Sequence, residues 1–254
     1  MSNKIRYVGW LGLAVIALGA IWTLPASAGP PFITDDPETP AWHGWEINLP
    51  FTLERTREEQ LVQIPLFDIN YGLRPNVQLK LEFPFLRLHS AGEDEYGLGD
   101  TLVGIKWRFW EESRRLPHLG IYPQVLLPTG NSQHGLGDGK ASYRIPLVAQ
   151  TSWDQWTLYG NVGFAVQTQR DSLNYGYYGI TLASEFNERL ELGMELFGNS
   201  ATERGSHSDL AFNVGGQWKI LEGLLLLFST GRSIRGTSTT MAYLGLQILT
   251  KGWE

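Results

Sequence analysis

From Gly97 to Trp110 the chain reads GLGDTLVGIKWRFW, and after the turn-forming Gly-Leu-Gly-Asp its positions alternate. Val103, Ile105, Trp107 and Phe109 share one parity, and Leu102, Gly104, Lys106, Arg108 and Trp110 share the other. Successive strand side chains point to opposite faces, so this pattern predicts a strand with one apolar and one largely polar surface. The pattern recurs along the chain. Trp45, Ile47, Leu49, Phe51 and Leu53 oppose Glu46, Asn48, Pro50, Thr52 and Glu54 in a first strand from Trp42 to about Leu53. Leu61–Leu73 follows, with a parity shift near Phe67–Asp68 that predicts a bulge. Further strands are predicted at Val77–Phe85, the Gly97–Trp110 stretch, Leu119–Leu127, Tyr143–Ser152, Trp156–Gln167 and Tyr175–Phe186. The last four are predicted at Leu190–Leu196, Ser208–Ile220, Leu224–Gly231 and Thr239–Thr250.

Roughly twelve strands of about ten residues match the length that crosses a bilayer at a tilt. The connections alternate in length after the first hairpin: those at 89–100, 129–142, 168–174, 199–207 and 232–238 are long, and most of those between are short. An even-stranded bacterial barrel keeps both ends and its short turns in the periplasm. Trp42, Trp45, Trp107, Trp110, Trp153, Trp156, Trp218 and Trp253 then fall at the periplasmic end, and Tyr143, Tyr175, Tyr177 and Tyr178 at the other. Aromatic rings favour the headgroup level. The fold class expected is all-β, a transmembrane antiparallel β-barrel over residues 42–254. A secreted β-sandwich is the competing architecture, because it would bury the same apolar faces in a core.

The N-terminus sets the compartment. Lys4 and Arg6 precede the apolar run Val8–Trp22, Pro25 breaks it, and Ala26-Ser27-Ala28 supplies a small-x-small cleavage site. Residues 1–28 therefore read as a cleaved signal peptide, and the mature chain is expected to begin at Gly29. Gly29–Ala41 (GPPFITDDPETPA) is too rich in proline for a helix or a central strand. Its Phe32 and Ile33 are more apolar than a solvated tail requires, and its prolines lower the entropy lost on docking. The segment reads either as a lumenal plug, with Asp35 and Asp36 meeting basic lumen residues, or as a linker left after cleavage.

The 254 residues carry no cysteine and a net charge of −6, which excludes thiolate chemistry and gives nucleic acid no basic patch. By parity the lumen face holds Glu46, Glu54, Glu82, Glu185, Glu191 and Glu195 against Lys80, Lys106, Arg108, Arg144, Arg189 and Lys219. The signs balance, and Gly104, Gly163, Gly193, Gly215 and Gly245 leave room on that face. Two readings fit: a small polar channel whose constriction these charges set, or a salt-bridge network that fills a narrow, non-conducting barrel. Lys80, Glu82, Lys106 and Arg108 are expected to cluster, with Glu82 level with Lys106 and Glu46 as a further acidic partner.

Pro31-Phe32-Ile33-Thr34-Asp35-Asp36-Pro37, Gly97-Leu98-Gly99-Asp100, Gly104-Ile105-Lys106-Trp107-Arg108, Leu127-Pro128-Thr129-Gly130 and Tyr159-Gly160-Asn161-Val162-Gly163 resemble the MetA-pathway of phenol degradation family of outer-membrane proteins. The resemblance spans nearly the whole mature chain. It implies an outer-membrane barrel and a role in the uptake of small molecules, aromatic or phenolic compounds among them. The partners expected are outer-membrane lipids, a small-molecule permeant and the barrel assembly machinery, with Trp253 standing in for a C-terminal aromatic. No cofactor or metal is called for. The competing function is a lipid or lipopolysaccharide hydrolase, since His89-Ser90 and Ser206-His207-Ser208 set serine beside histidine. Neighbours in a strand face opposite ways, which disfavours a shared Ser–His hydrogen bond in either pair.

Overall fold

The computed structural model describes residues 30–113, 116–169 and 172–252. The stretch read as a signal peptide and Trp253 lie outside them. The chain forms β1 (Trp45–Arg55), β2 (Glu59–Arg74), β3 (Val77–Ser90), β4 (Glu93–Leu98), β5 (Thr101–Trp110), β6 (His118–Ile121) and β7 (Gln124–Leu127). After a single 3-10 turn at Ser132–His134 come β8 (Ser142–Trp153), β9 (Trp156–Gln167), β10 (Tyr175–Asn187) and β11 (Leu190–Asn199). β12 (Asp209–Leu221), β13 (Leu224–Arg235) and β14 (Thr240–Leu249) complete the wall. Every pairing is antiparallel and β1 pairs with β14, so the sheet closes on itself. Because β4 and β5 both lie on β3, and β6 and β7 both lie on β5 and β8, the fourteen segments make a barrel of twelve strands.

Closure leaves no free edge, and that is what allows a sheet to stand in hydrocarbon. The apolar parity faces outward: Leu79, Leu81, Val103, Ile105, Trp107, Leu147, Val162, Phe164, Ile180, Met194, Val214 and Leu244 are all exposed. The opposite parity is buried and polar, with Asn48, Asp68, Asn70, Lys80, Glu82, Lys106, Asn161, Thr181, Glu195, Asn213 and Gln247 inside. A soluble sandwich would show the reverse. The protein is an outer-membrane β-barrel.

Three local expectations are corrected. The irregularity in β2 lies at Ile64-Pro65, where the pairing with β3 shifts between Gln63 and Leu66, rather than near Phe67–Asp68. Proline cannot donate to the ladder, so the break falls where Pro65 stands. Ser90–Asp100 is no loop: β3 and β4 form a hairpin turning on Ala91 and Gly92, both at positive φ (54° and 86°), as a two-residue type I′ turn requires. The predicted strand Leu119–Leu127 is split at Tyr122-Pro123, and Tyr122 turns inward until 2 % exposed. Of the aromatics, the seven described tryptophans at the end that carries the short turns stand exposed. At the other end Tyr143 and Tyr178 face out, but Tyr175 and Tyr177 face in, and the Tyr177 ring occupies the space a side chain on Gly163 would need.

Candidate permeation site in the barrel lumen

Residues 30–41 run along the inward face of the barrel wall. The chain leaves the rim beside Gly72 and Gly44, whose missing side chains admit the Ala41 backbone. It then climbs along the β5–β8 wall. Glu38 pairs with Arg108 at 2.8 Å and accepts a hydrogen bond from Gln150 Nε2 at 3.0 Å, while Lys106 Nζ donates to the Glu38 carbonyl at 3.1 Å. Asp36 is fully buried, with one carboxylate oxygen 3.9 Å from Lys106 Nζ. The Asp35 amide donates to Asn161 Oδ1 at 3.1 Å. At mid-height the segment crosses to the far wall, where Thr34 donates to Glu195 through both its amide and its hydroxyl. The Pro31 carbonyl accepts from Ser229 Oγ at 2.8 Å.

The wall is shaped to receive it. Phe32, 3 % exposed, lies over Gly193, where an added Cβ would come within 2.9 Å of its ring, and Thr34 lies against Gly179 in the same way. The expectation that the lumen glycines leave open space is thus corrected. Gly193 is filled by Phe32, Gly163 by Tyr177, Gly104 by Tyr122 and Gly245 by Pro50. Beyond the tip a cavity of about 40 Å³ remains, bordered by Phe32, Ile33, Glu54, Met241 and Tyr243.

Beside the segment, the β1–β3 wall holds a buried charge cluster. Lys80 Nζ lies 2.8 Å from Asp68 and 3.0 Å from Glu82, and Asn48 Nδ2 bridges Asp68 (2.9 Å) to Glu46 (3.0 Å). Two carboxylates around one ammonium, all nearly dry, stay together because removing the cation would leave like charges buried without compensation. The register expected here is corrected: Glu82 is level with Leu102, and Lys106 with Gln78. Lys106 and Arg108 consequently meet the acids of the N-terminal segment rather than Glu82. Asp68, which shares the lumen parity once the bulge is moved to Ile64-Pro65, is the partner the sequence reading missed.

The remaining charged residues sort by height. Glu195 is buried and held by Asn213 Nδ2 at 2.8 Å, and half-buried Glu191 accepts from Gln217 at 3.1 Å. Arg144 is half-buried on β8. Lys219 pairs with Glu222 at 3.0 Å in the turn, and Glu185 and Arg189 stand exposed at the periplasmic rim. Those last two do not belong to the packed interior. His89 contacts Asp94 at 3.0 Å, Ser90 donates to Glu59 and Ser206 to the Glu203 carbonyl, so these side chains are engaged away from one another.

A second segment packs inward at the other end of the barrel. The segment after β7 folds back so that Leu136, 2 % exposed, packs on the inward Leu61, Leu86 and Leu88. Asp100 fastens it, accepting from the Gly130 amide at 2.9 Å and the Asp138 amide at 2.7 Å. A family model described as "Putative MetA-pathway of phenol degradation" matches residues 18–247. The chain belongs to that family. Three of the five motifs that resemble the family fall on these two segments: Pro31–Pro37 lies in the N-terminal one, and Gly97–Asp100 with Leu127–Gly130 forms the fastening of the loop, while Gly104–Arg108 and Tyr159–Gly163 lie in the wall strands β5 and β9.

No curated protein matches this chain by sequence. Among solved structures, the COG4313 outer membrane channel from Pseudomonas putida F1 is similar at TM-score 0.73 and 14 % identity, covering 88 % of this chain and 100 % of that one. The NanC porin is similar at TM-score 0.61 and 6 % identity (80 % and 98 % covered). The KdgM porin in complex with disordered oligogalacturonate gives 0.53 and 12 % (79 % and 98 %). At these identities the likeness speaks for the fold alone.

Proposed function

We propose that this barrel is a passive channel for small molecules, held shut at rest by residues 30–41, and that it turns over no substrate. The supporting observation is the fit of the N-terminal segment. It contacts β5, β8, β9, β11 and β13 through side-chain and backbone groups whose partners lie on the wall, and two wall glycines make room for Phe32 and Thr34. A structural filler would need no separate, charge-tethered chain threaded from one end. A gate needs contacts that are numerous but individually modest, and a charge-assisted hydrogen bond contributes only about 1.5–3 kcal/mol. The family description points to phenolic compounds as permeants, and nothing in the proposal requires a cofactor, a metal or nucleic acid. Planar-bilayer recording of a variant lacking residues 30–40, with signal and cleavage site retained, tests the gate. Higher conductance is expected, whereas conductance equal to the full-length barrel would refute it.

A further inference from the structure

The lumen's charges are sorted by wall. Lys80 projects from β3, Lys106 and Arg108 from β5 and Arg144 from β8. Most of the carboxylates project from elsewhere: Glu46 and Glu54 from β1, Asp68 from β2, Glu195 from β11. Glu82 is the exception, and it is paired with Lys80. The register aligns the bases further. Lys80 is opposite Gly104, Gly104 opposite Gln124, and Gln124 opposite Arg144, which makes one row around the barrel. Lys106 lies two residues below Gly104 on the same face, its ammonium 4.9 Å from the centre of the Tyr122 ring that Gly104 accommodates.

Asp35 of the N-terminal segment is seated against this row. Its amide is held by Asn161 Oδ1 at 3.1 Å, and its carboxylate faces Gln124 in the field of Lys106, Lys80 and Arg144. Gln124, Lys80 and Lys106 are all more than nine-tenths buried, so the arrangement is a built pocket rather than a surface coincidence. Immediately toward the outside the same wall turns apolar, with Leu102 on β5 and Leu86 on β3, the latter packed with Leu61 and Leu136.

We propose that Lys106, Gln124 and Arg144, beside the Lys80 cluster, form a carboxylate-binding station on the permeation path, occupied at rest by Asp35, and that it selects small organic acids with an apolar body. The proposal rests on the reading of residues 30–41 as a displaceable plug. An acid entering from outside carries its apolar part past Leu61, Leu86 and Leu102 while its charge reaches Lys106 and Arg144. Arg108, two residues below Lys106 and bound at rest to Glu38, is the next cation on the way to the periplasm. A neutral phenol can pass without being held by these cations, and an amine is repelled by them.

Single-channel recording of the barrel lacking residues 30–40, in potassium chloride, tests this with three probes that share one ring: benzoate, phenol and benzylammonium. Millimolar benzoate should interrupt the current while the other two do not, and the reversal potential in a salt gradient should show anion preference despite the chain's net charge of −6. Lys106→Gln should weaken the benzoate block by about tenfold, the loss of one charge-assisted hydrogen bond. Gln124→Leu, which removes the amide donor without changing charge, should weaken it as well and serves if the lysine variant does not assemble. Equal block by phenol and benzoate, or benzoate block untouched by both substitutions, overturns the station while leaving the plug intact. Unchanged conductance after the deletion overturns the plug and the station with it.

Discussion

At the scale of single residues, the deepest consequence lies with Asp36. Burial pushes its carboxyl from the ordinary 3.8 up to about 8, against the pull of Lys106. An acid whose pKa is higher in the docked state binds more protons there, so docking takes up a proton. The docked segment should therefore weaken as pH rises from about 4 toward 8, and change no further once both states are ionised. Channel conductance is expected to climb over that window, and Asp36→Asn, which cannot ionise, should flatten the profile; a wild-type curve already flat between pH 5 and 8 would contradict this placement. The charged residues show what sequence could supply at this scale. Parity is fixed by the two-residue repeat of a strand, so the sequence alone puts Lys80, Glu82, Lys106 and Glu195 on the face opposite the apolar one. Which of them touch depends on stagger between strands, and a misplaced bulge in β2 hid Asp68 from Lys80. Replacing Lys80 by methionine leaves Asp68 and Glu82 buried together, a loss of about 3–5 kcal/mol. The barrel of that variant should convert from its folded to its unfolded gel mobility at a lower temperature than wild type.

Among the elements, long strands with one apolar face were legible, and short or wholly polar ones were not. β4 escaped because Glu93, Asp94 and Glu95 carry no hydrophobic alternation; its pairing to β3 comes instead from the turn at Ala91-Gly92 and from Asp94 reaching Arg87 and His89. The split between β6 and β7 was marked by Pro123, but the inward turn of Tyr122 depends on the space above Gly104 two strand segments away. The lumen glycines carry the same lesson. Parity placed Gly193 inside, but what fills it comes from a segment more than a hundred residues distant, and no local pattern encodes that contact. This yields a direct test of how the segment seats. Gly193→Val puts a branched side chain where the Phe32 ring lies, and Gly179→Val does so at Thr34. Either variant should keep heat-modifiable barrel mobility yet conduct more than wild type, because overpacking here is relieved by expelling the segment rather than by deforming a closed sheet. A variant that fails to assemble instead would show that the segment is part of the folded barrel and not a guest within it.

For the molecule as a whole, two segments lie against the inside of the wall, residues 30–41 and the loop after β7, and on the proposed reading they obstruct one path in series. Composition raised the first as one of two readings, plug or linker, since Phe32, Ile33 and the prolines are poor choices for a solvated tail. The second was not legible, because residues 129–142 read as an ordinary glycine-rich loop. Its inward fold depends on Leu136 finding Leu61 and Leu86 and on Asp100 holding two backbone amides thirty or more residues away. Resistances in series add, so removing one obstruction leaves the current limited by the other. Shortening the mouth loop by deleting residues 132–138 should therefore raise conductance modestly by itself. The same deletion in the barrel that already lacks residues 30–40 should raise it much more, because the loop is then the narrowest remaining element. Independent effects would combine with no such dependence on background, and the double-mutant comparison measures that difference. If the loop deletion changes conductance by the same factor in both backgrounds, the two segments do not lie on one path. In that case permeants would bypass the Leu136 cluster, and the route past Leu61, Leu86 and Leu102 to Lys106 would have to be redrawn.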